Sequence, residues 1–161
     1  MKNNSLIFLE LNEVSFEFIQ KYINKGKLDN FKKFINTYGL SKTSSESEYK
    51  NLEPWIQWVT IHSGKKFNQH NVFRLGDISD EIKNVWDELD KKDVNSCLIS
   101  PMNALNPNLE NSLFIPDPWT DTTASEGFFF KLLHESISSM VGDNSKKNFK
   151  LIDLLKFSII F

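Results

Sequence analysis

Residues 5–11, SLIFLEL, form a near-continuous apolar run. This is the pattern of a strand buried on both faces of a parallel sheet. Asn12 and Glu13 turn the chain, and Ser15 is placed to cap a helix in which Phe16, Ile19, Tyr22 and Ile23 recur at helical spacing until Gly26. Asp29 can cap a second helix with Phe31, Phe34, Ile35 and Tyr38 on one face, closed by Gly39. Residues 40–51 are rich in hydroxyls and poor in apolar groups, which fits an edge strand running into a loop that is mobile or faces a ligand. In residues 52–77, Pro54 suits a first helical turn and Glu53 complements the helix dipole. Trp55, Trp58, Val59 and His62 then share one face, with Ile56, Thr60 and Ser63 on the others.

The pattern continues with a helix capped by Ser79 or Asp80, carrying Ile82, Val85, Trp86 and Leu89, and ending at Asp93. VNSCLIS at 94–100 reads as a buried strand, PMNALNPN as the loop at its carboxyl end, and SLFIP at 112–116 as a short strand. PDPW cannot be helix interior, because each proline forces the residue before it into extended backbone. Helices are expected over 125–140 and from 149 onward, joined by GDNSKKN. Alternating strands and helices predict an α/β domain, with a mainly parallel sheet and helices on both faces. A chain of 161 residues fits one such domain, 1–161.

Charge and cysteine content narrow the function classes. A formal net charge of −2 gives no electrostatic footprint for nucleic acid. The single cysteine, Cys97, rules out an internal disulfide and a thiolate cluster, and its apolar neighbours predict a buried, inert thiol. No stretch reaches the roughly 20 apolar residues of a membrane span, so the expected location is cytoplasmic. There is no GxGxxG, GxxxxGKS, GxSxG or HExxH. His62, His70 and His134 match no short zinc spacing, and His134 reads as structural. The better lead is oxygen donors at strand and helix ends: Asn12, Glu13, Glu53, Asp77 and Asp117.

LIFLELNEVSFEFIQKYINKGKLDNFKKF, followed by EPWIQWVTIHSGKKFNQHNV, resembles the opening of the alkaline phosphatase superfamily, especially its type I phosphodiesterase and nucleotide pyrophosphatase-like members. LDNF matches the turn after the first helix, His62-Ser63-Gly64 the end of the nucleophile helix, and Gln69-His70-Asn71 the loop beyond it. PDPW is similar to a segment of uncharacterised alkaline-phosphatase-like proteins. The resemblance covers about the first half of the chain.

It implies a metal-dependent hydrolase of phosphate or sulfate esters, with zinc, manganese or magnesium as the divalent ion. The family spacing puts the nucleophile at Pro54, which has no hydroxyl or thiol, with Glu53 one position away as a poor substitute. Asn12 stands where the first metal-binding Asp would be, and Glu13 and Glu53 are the other candidate ligands. The remaining ligands, an Asp-His pair and a further His, have no counterpart here. The implied reading is the N-terminal part of a larger alkaline-phosphatase-like domain, inactive as this chain alone, completed by a partner chain or a missing C-terminal half. The apolar end KLIDLLKFSIIF fits that reading. The alternative is a non-catalytic module binding a sugar or nucleotide. There Trp55, Trp58 and Trp119 would stack on the ligand, the helix start would receive an anion, and Thr60, His62 and His70 would lie around the site.

Overall fold

A computed structural model describes residues 5–110 and 112–143. The chain divides into two compact units, residues 1–44 and 45–161. The mixed α/β character expected from the pattern is present, with six α-helices and one short parallel sheet among the described residues. The helix expected from residue 149 onward lies outside the described residues.

In the first unit, α1 (Phe16–Asn24) starts where Ser15 Oγ accepts the Phe18 N–H at 3.4 Å. It ends as the Gly26 and Lys27 N–H groups close on the Ile23 and Tyr22 carbonyls. α2 (Asp29–Tyr38) follows, with Leu28 in the left-handed region and Gly39 at its end. Asp29 is therefore the first helical residue and does not act as the cap. The two helices border an open depression of about 530 Å³, lined in part by Ile23, Asn24, Lys32, Ile35 and Asn36.

The strand expected at 5–11 does not form. The segment is irregular, and Leu6, Ile7, Phe8 and Leu9 are 68–89% exposed. Continuous apolarity fits a strand only when neighbours on both edges and layers on both faces are supplied, and among the described residues none pairs with it. Residues 40–48 likewise form no strand and run into a 3₁₀ turn at Tyr49–Asn51.

In the second unit, α3 (Pro54–Ser63) has Pro54 in its first turn and Gly64, at φ +66°, closing it. α4 (Phe67–His70) is a single turn started by Gln69 Oε1, which accepts the Lys66 N–H. α5 (Val85–Asp90) starts later than the pattern predicts, because Asp87 reaches back to the Asn84 N–H at 2.7 Å and fixes the start there. β1 (Cys97–Ile99) and β2 (Leu113–Ile115) pair in parallel, with Leu98 opposite Phe114. α6 (Phe128–Asp143) closes the described chain.

The core gathers where these elements meet. Trp86, Ala104 and Phe114 are buried against one another, with Leu98 and Leu109 packed on them. Full burial of a ring the size of Phe114 contributes roughly 2–3 kcal/mol. The outer edge of β2 is closed by Ser125, whose Oγ accepts the Phe114 N–H and whose N–H donates to the Phe114 carbonyl, both at 2.8 Å. β1 departs from expectation: Cys97 is exposed and Ile99 is 70% exposed, so the thiol is not buried. A strand read as buried from its own residues presents one face to solvent because the ladder among the described residues has two strands only.

Candidate functional site

The carboxyl ends of parallel strands are where α/β proteins collect ligands. Here β1 and β2 lead into two loops, Ser100-Pro101-Met102-Asn103 and Pro116-Asp117-Pro118-Trp119. Ser100 and Asn103 both hold positive φ, at 57° and 53°. Asparagine tolerates that region better than most residues. The bend turns the Asn103 carboxamide inward, where it is buried.

That carboxamide joins three segments. Its Oδ1 accepts the Gly76 N–H at 2.8 Å, while its Nδ2 donates to the Arg74 carbonyl at 2.8 Å and the Trp55 carbonyl at 3.3 Å. Its backbone N–H donates to Asp117 Oδ2 at 3.0 Å. Asp117 is almost wholly buried. Its Oδ1 accepts the N–H groups of Trp119 and Thr120 at 2.8 and 3.0 Å, and Oδ2 also accepts the Thr120 hydroxyl. Four donors satisfy a carboxylate that would otherwise be costly to bury. His134 of α6 lies 3.3 Å from the Asp117 carbonyl and 3.2 Å from the Ser138 hydroxyl, so its ring is engaged structurally. Gly76 fits because nothing larger would: a Cβ there would lie 2.7 Å from the Trp119 carbonyl oxygen, and φ is +86°.

The first turn of α3 is thus tied to the carboxyl edge of the sheet through Trp55 and Asn103. Pro54 is half-buried at the first helical position, and Glu53 is exposed ahead of it. The Glu53 carbonyl already accepts the Ile56 and Gln57 N–H groups at 3.0 and 3.1 Å, and Pro54 has no N–H. With the Ile56 and Gln57 N–H groups already bonded, this helix start is a weak anion cradle compared with a turn of free donors.

The aromatic residues divide. Trp55 is half-buried, with Nε1 donating to the Phe73 carbonyl at 3.0 Å. Trp58 is half-buried and stacked on His62 at 5.9 Å, and His62 is buried with Trp86 5.1 Å away. Trp119 is 47% exposed at the sheet edge. Ile56, placed by the pattern on a different face from the tryptophans, is the α3 residue with no exposure at all.

Thr60 and His70 form the contact nearest in form to a nucleophile and base, with Thr60 Oγ1 3.1 Å from His70 Nε2. The proton inventory runs the other way. His70 Nδ1 accepts the Val72 N–H at 3.1 Å, so the neutral ring carries its proton on Nε2 and donates it to Thr60. The Thr60 hydroxyl then donates to the Ile56 carbonyl, and His70 does not act on it as a base. Burial holds the His70 pKa below its ordinary value, against the upward pull of the Glu46 carboxylate.

The candidate ligands implied by the resemblance fall in different units. Asn12 and Glu13 are exposed in the first unit, where Glu13 has φ 53°, and Glu53 belongs to the second. Among the described residues no three His, Cys, Asp or Glu side chains converge on a point that could hold an ion. Asn103 was the residue sequence reasoning missed. Its signal was present as an asparagine in a strand-end loop, but the loop holds three. No family model, curated protein or solved structure matches the chain.

Proposed function

We propose that the chain is an alkaline-phosphatase-like module, related to metal-dependent hydrolases of phosphate or sulfate esters, that binds its ligand and does not hydrolyse it alone. The observation that carries this reading is the junction at the sheet edge. A helix start with the sequence Glu53-Pro54 is fastened by Asn103 to the carboxyl end of β1, the place where a nucleophile helix would present its hydroxyl. Proline can supply neither nucleophile nor proton. Among the described residues, neither unit gathers a donor set for the two-metal clamp that such hydrolysis uses.

Trp119 supports the binding half of the proposal. Its backbone N–H is fixed by Asp117 and the residue is 47% exposed, so it offers an aromatic face to the sugar or base of an ester ligand. Trp55 and Trp58 are half-buried, with the Trp55 indole bonded to the Phe73 carbonyl and Trp58 stacked on His62, and present less open surface than Trp119.

Two assays test the reading. With p-nitrophenyl phosphate, bis-p-nitrophenyl phosphate and p-nitrophenyl sulfate, in added Zn²⁺, Mn²⁺ or Mg²⁺, turnover stays at the level of metal and buffer. Turnover abolished by Glu53→Ala would overturn the non-hydrolytic claim. Titration with a nucleoside monophosphate or a sugar phosphate quenches tryptophan fluorescence, and Trp119→Ala weakens that binding about tenfold. Equal affinity in the variant would remove the stacking role.

A further inference from the structure

The segment between α4 and α5 opens with a strap, residues 71–77, that holds the candidate site together. The Phe73 carbonyl secures the Trp55 indole, while the Arg74 carbonyl and Gly76 N–H hold the Asn103 carboxamide. Its first contact is different in kind, because the Val72 N–H donates to an imidazole nitrogen. We propose that His70 is a pH-sensitive latch: with Nδ1 unprotonated it holds the strap closed over α3, and protonation of Nδ1 releases it.

The chemistry is a change of sign at one atom. Nδ1 accepts a hydrogen bond only while its lone pair is free. Protonated, it presents an N–H to the Val72 N–H, and two donors face each other at 3.1 Å inside a buried site. Nε2 remains a donor to Thr60 in both states, so the α3 side of the ring does not resist the change. Relief comes from moving the Val72 amide away, which carries the buried Val72 side chain and the start of the strap with it.

The charged groups on the elements around the ring set the working range. α3 carries no Asp, Glu, Lys or Arg, and its one titratable side chain is His62. Lys65 and Lys66 lie in the α3–α4 turn, and Arg74 and Asp77 in the strap itself. Glu46, ahead of the 3₁₀ turn, acts electrostatically on the ring while its Oε1 accepts the Phe67 N–H at 2.9 Å. Burial opposes protonation and outweighs Glu46. The folded-state pKa thus lies below that of the open or unfolded chain, about 6.5. The latch contributes its full stability above that value and loses it as pH falls toward the folded pKa.

Amide hydrogen exchange on the full chain at pH 8 to pH 5, expressed as protection factors, reads the latch directly. Protection of the Val72 and Gly76 amides falls up to tenfold per pH unit below about 6.5, the limit for one linked proton. In His70→Asn the side-chain oxygen takes the place of Nδ1 without titrating, and protection becomes independent of pH. In Glu46→Gln, which keeps the acceptor for Phe67 and lowers the closed-state pKa further, the loss of protection begins at the same pH but continues to lower pH and goes deeper. Wild-type protection constant across this range, or unchanged pH dependence in either variant, would overturn the proposal.

Discussion

The first unit is rich in apolar side chains and buries few of them; the second has a modest apolar core and is pinned by polar groups. Among the described residues of the first unit, Ile23 is the one buried hydrophobic, while Phe18, Tyr22, Phe34 and Tyr38 are exposed on well-formed amphipathic helices. In the second, Asn103 and Asp117 together take part in seven hydrogen bonds, and these connect α3, the strap and both strand-end loops. The contrast separates two roles of sequence. Apolar periodicity makes a helix and gives it a face without specifying what covers the face. A buried amide or carboxylate accepts few arrangements, because each unsatisfied atom costs about 1–3 kcal/mol.

The comparison breaks most readily at Asp117. Replacing it with alanine leaves the N–H groups of Asn103, Trp119 and Thr120 without their acceptor in a buried site. We expect a loss of about 4 kcal/mol in urea unfolding followed by tryptophan fluorescence, at the upper end for single substitutions. A loss below about 1 kcal/mol would mean that the polar junction does not hold the second unit. Gly76→Ala comes next. The added Cβ must adopt a left-handed φ and meets the Trp119 carbonyl, which is backbone and cannot swing away. Left-handed strain and overpacking together predict about 3 kcal/mol in the same measurement.

How much was legible follows from the same division. α1 and α3 could be read from sequence because their signals are local: Ser15 caps one, and Pro54 and Gly64 bracket the other. β1 and β2 were legible as short apolar runs bounded by proline and asparagine. Residues 5–11 were misread because an apolar run states a preference for burial and carries no information on which strands accompany it. Cys97 was misread for the same reason, its neighbours being apolar while its strand lies at an open face. Asn103 was not readable, since the partners of its carboxamide lie 27 to 48 residues away along the chain.

The smallest expected effect tests the other half of the contrast. Ile7 is 88% exposed within an apolar segment that forms no ladder among the described residues. Ile7→Lys therefore removes no packing, and its stability stays within about 0.5 kcal/mol of the wild type. Association should respond instead. Four consecutive exposed apolar residues with strand-compatible chemistry invite edge pairing between copies, and a lysine in their midst opposes it by charge and hydration. Sedimentation velocity at rising concentration should show less self-association for the variant than for the wild type. A stability loss of 2 kcal/mol or more, in the range about 2–5 kcal/mol seen for buried aliphatic truncations, would place Ile7 in a core and dissolve the distinction between the two units.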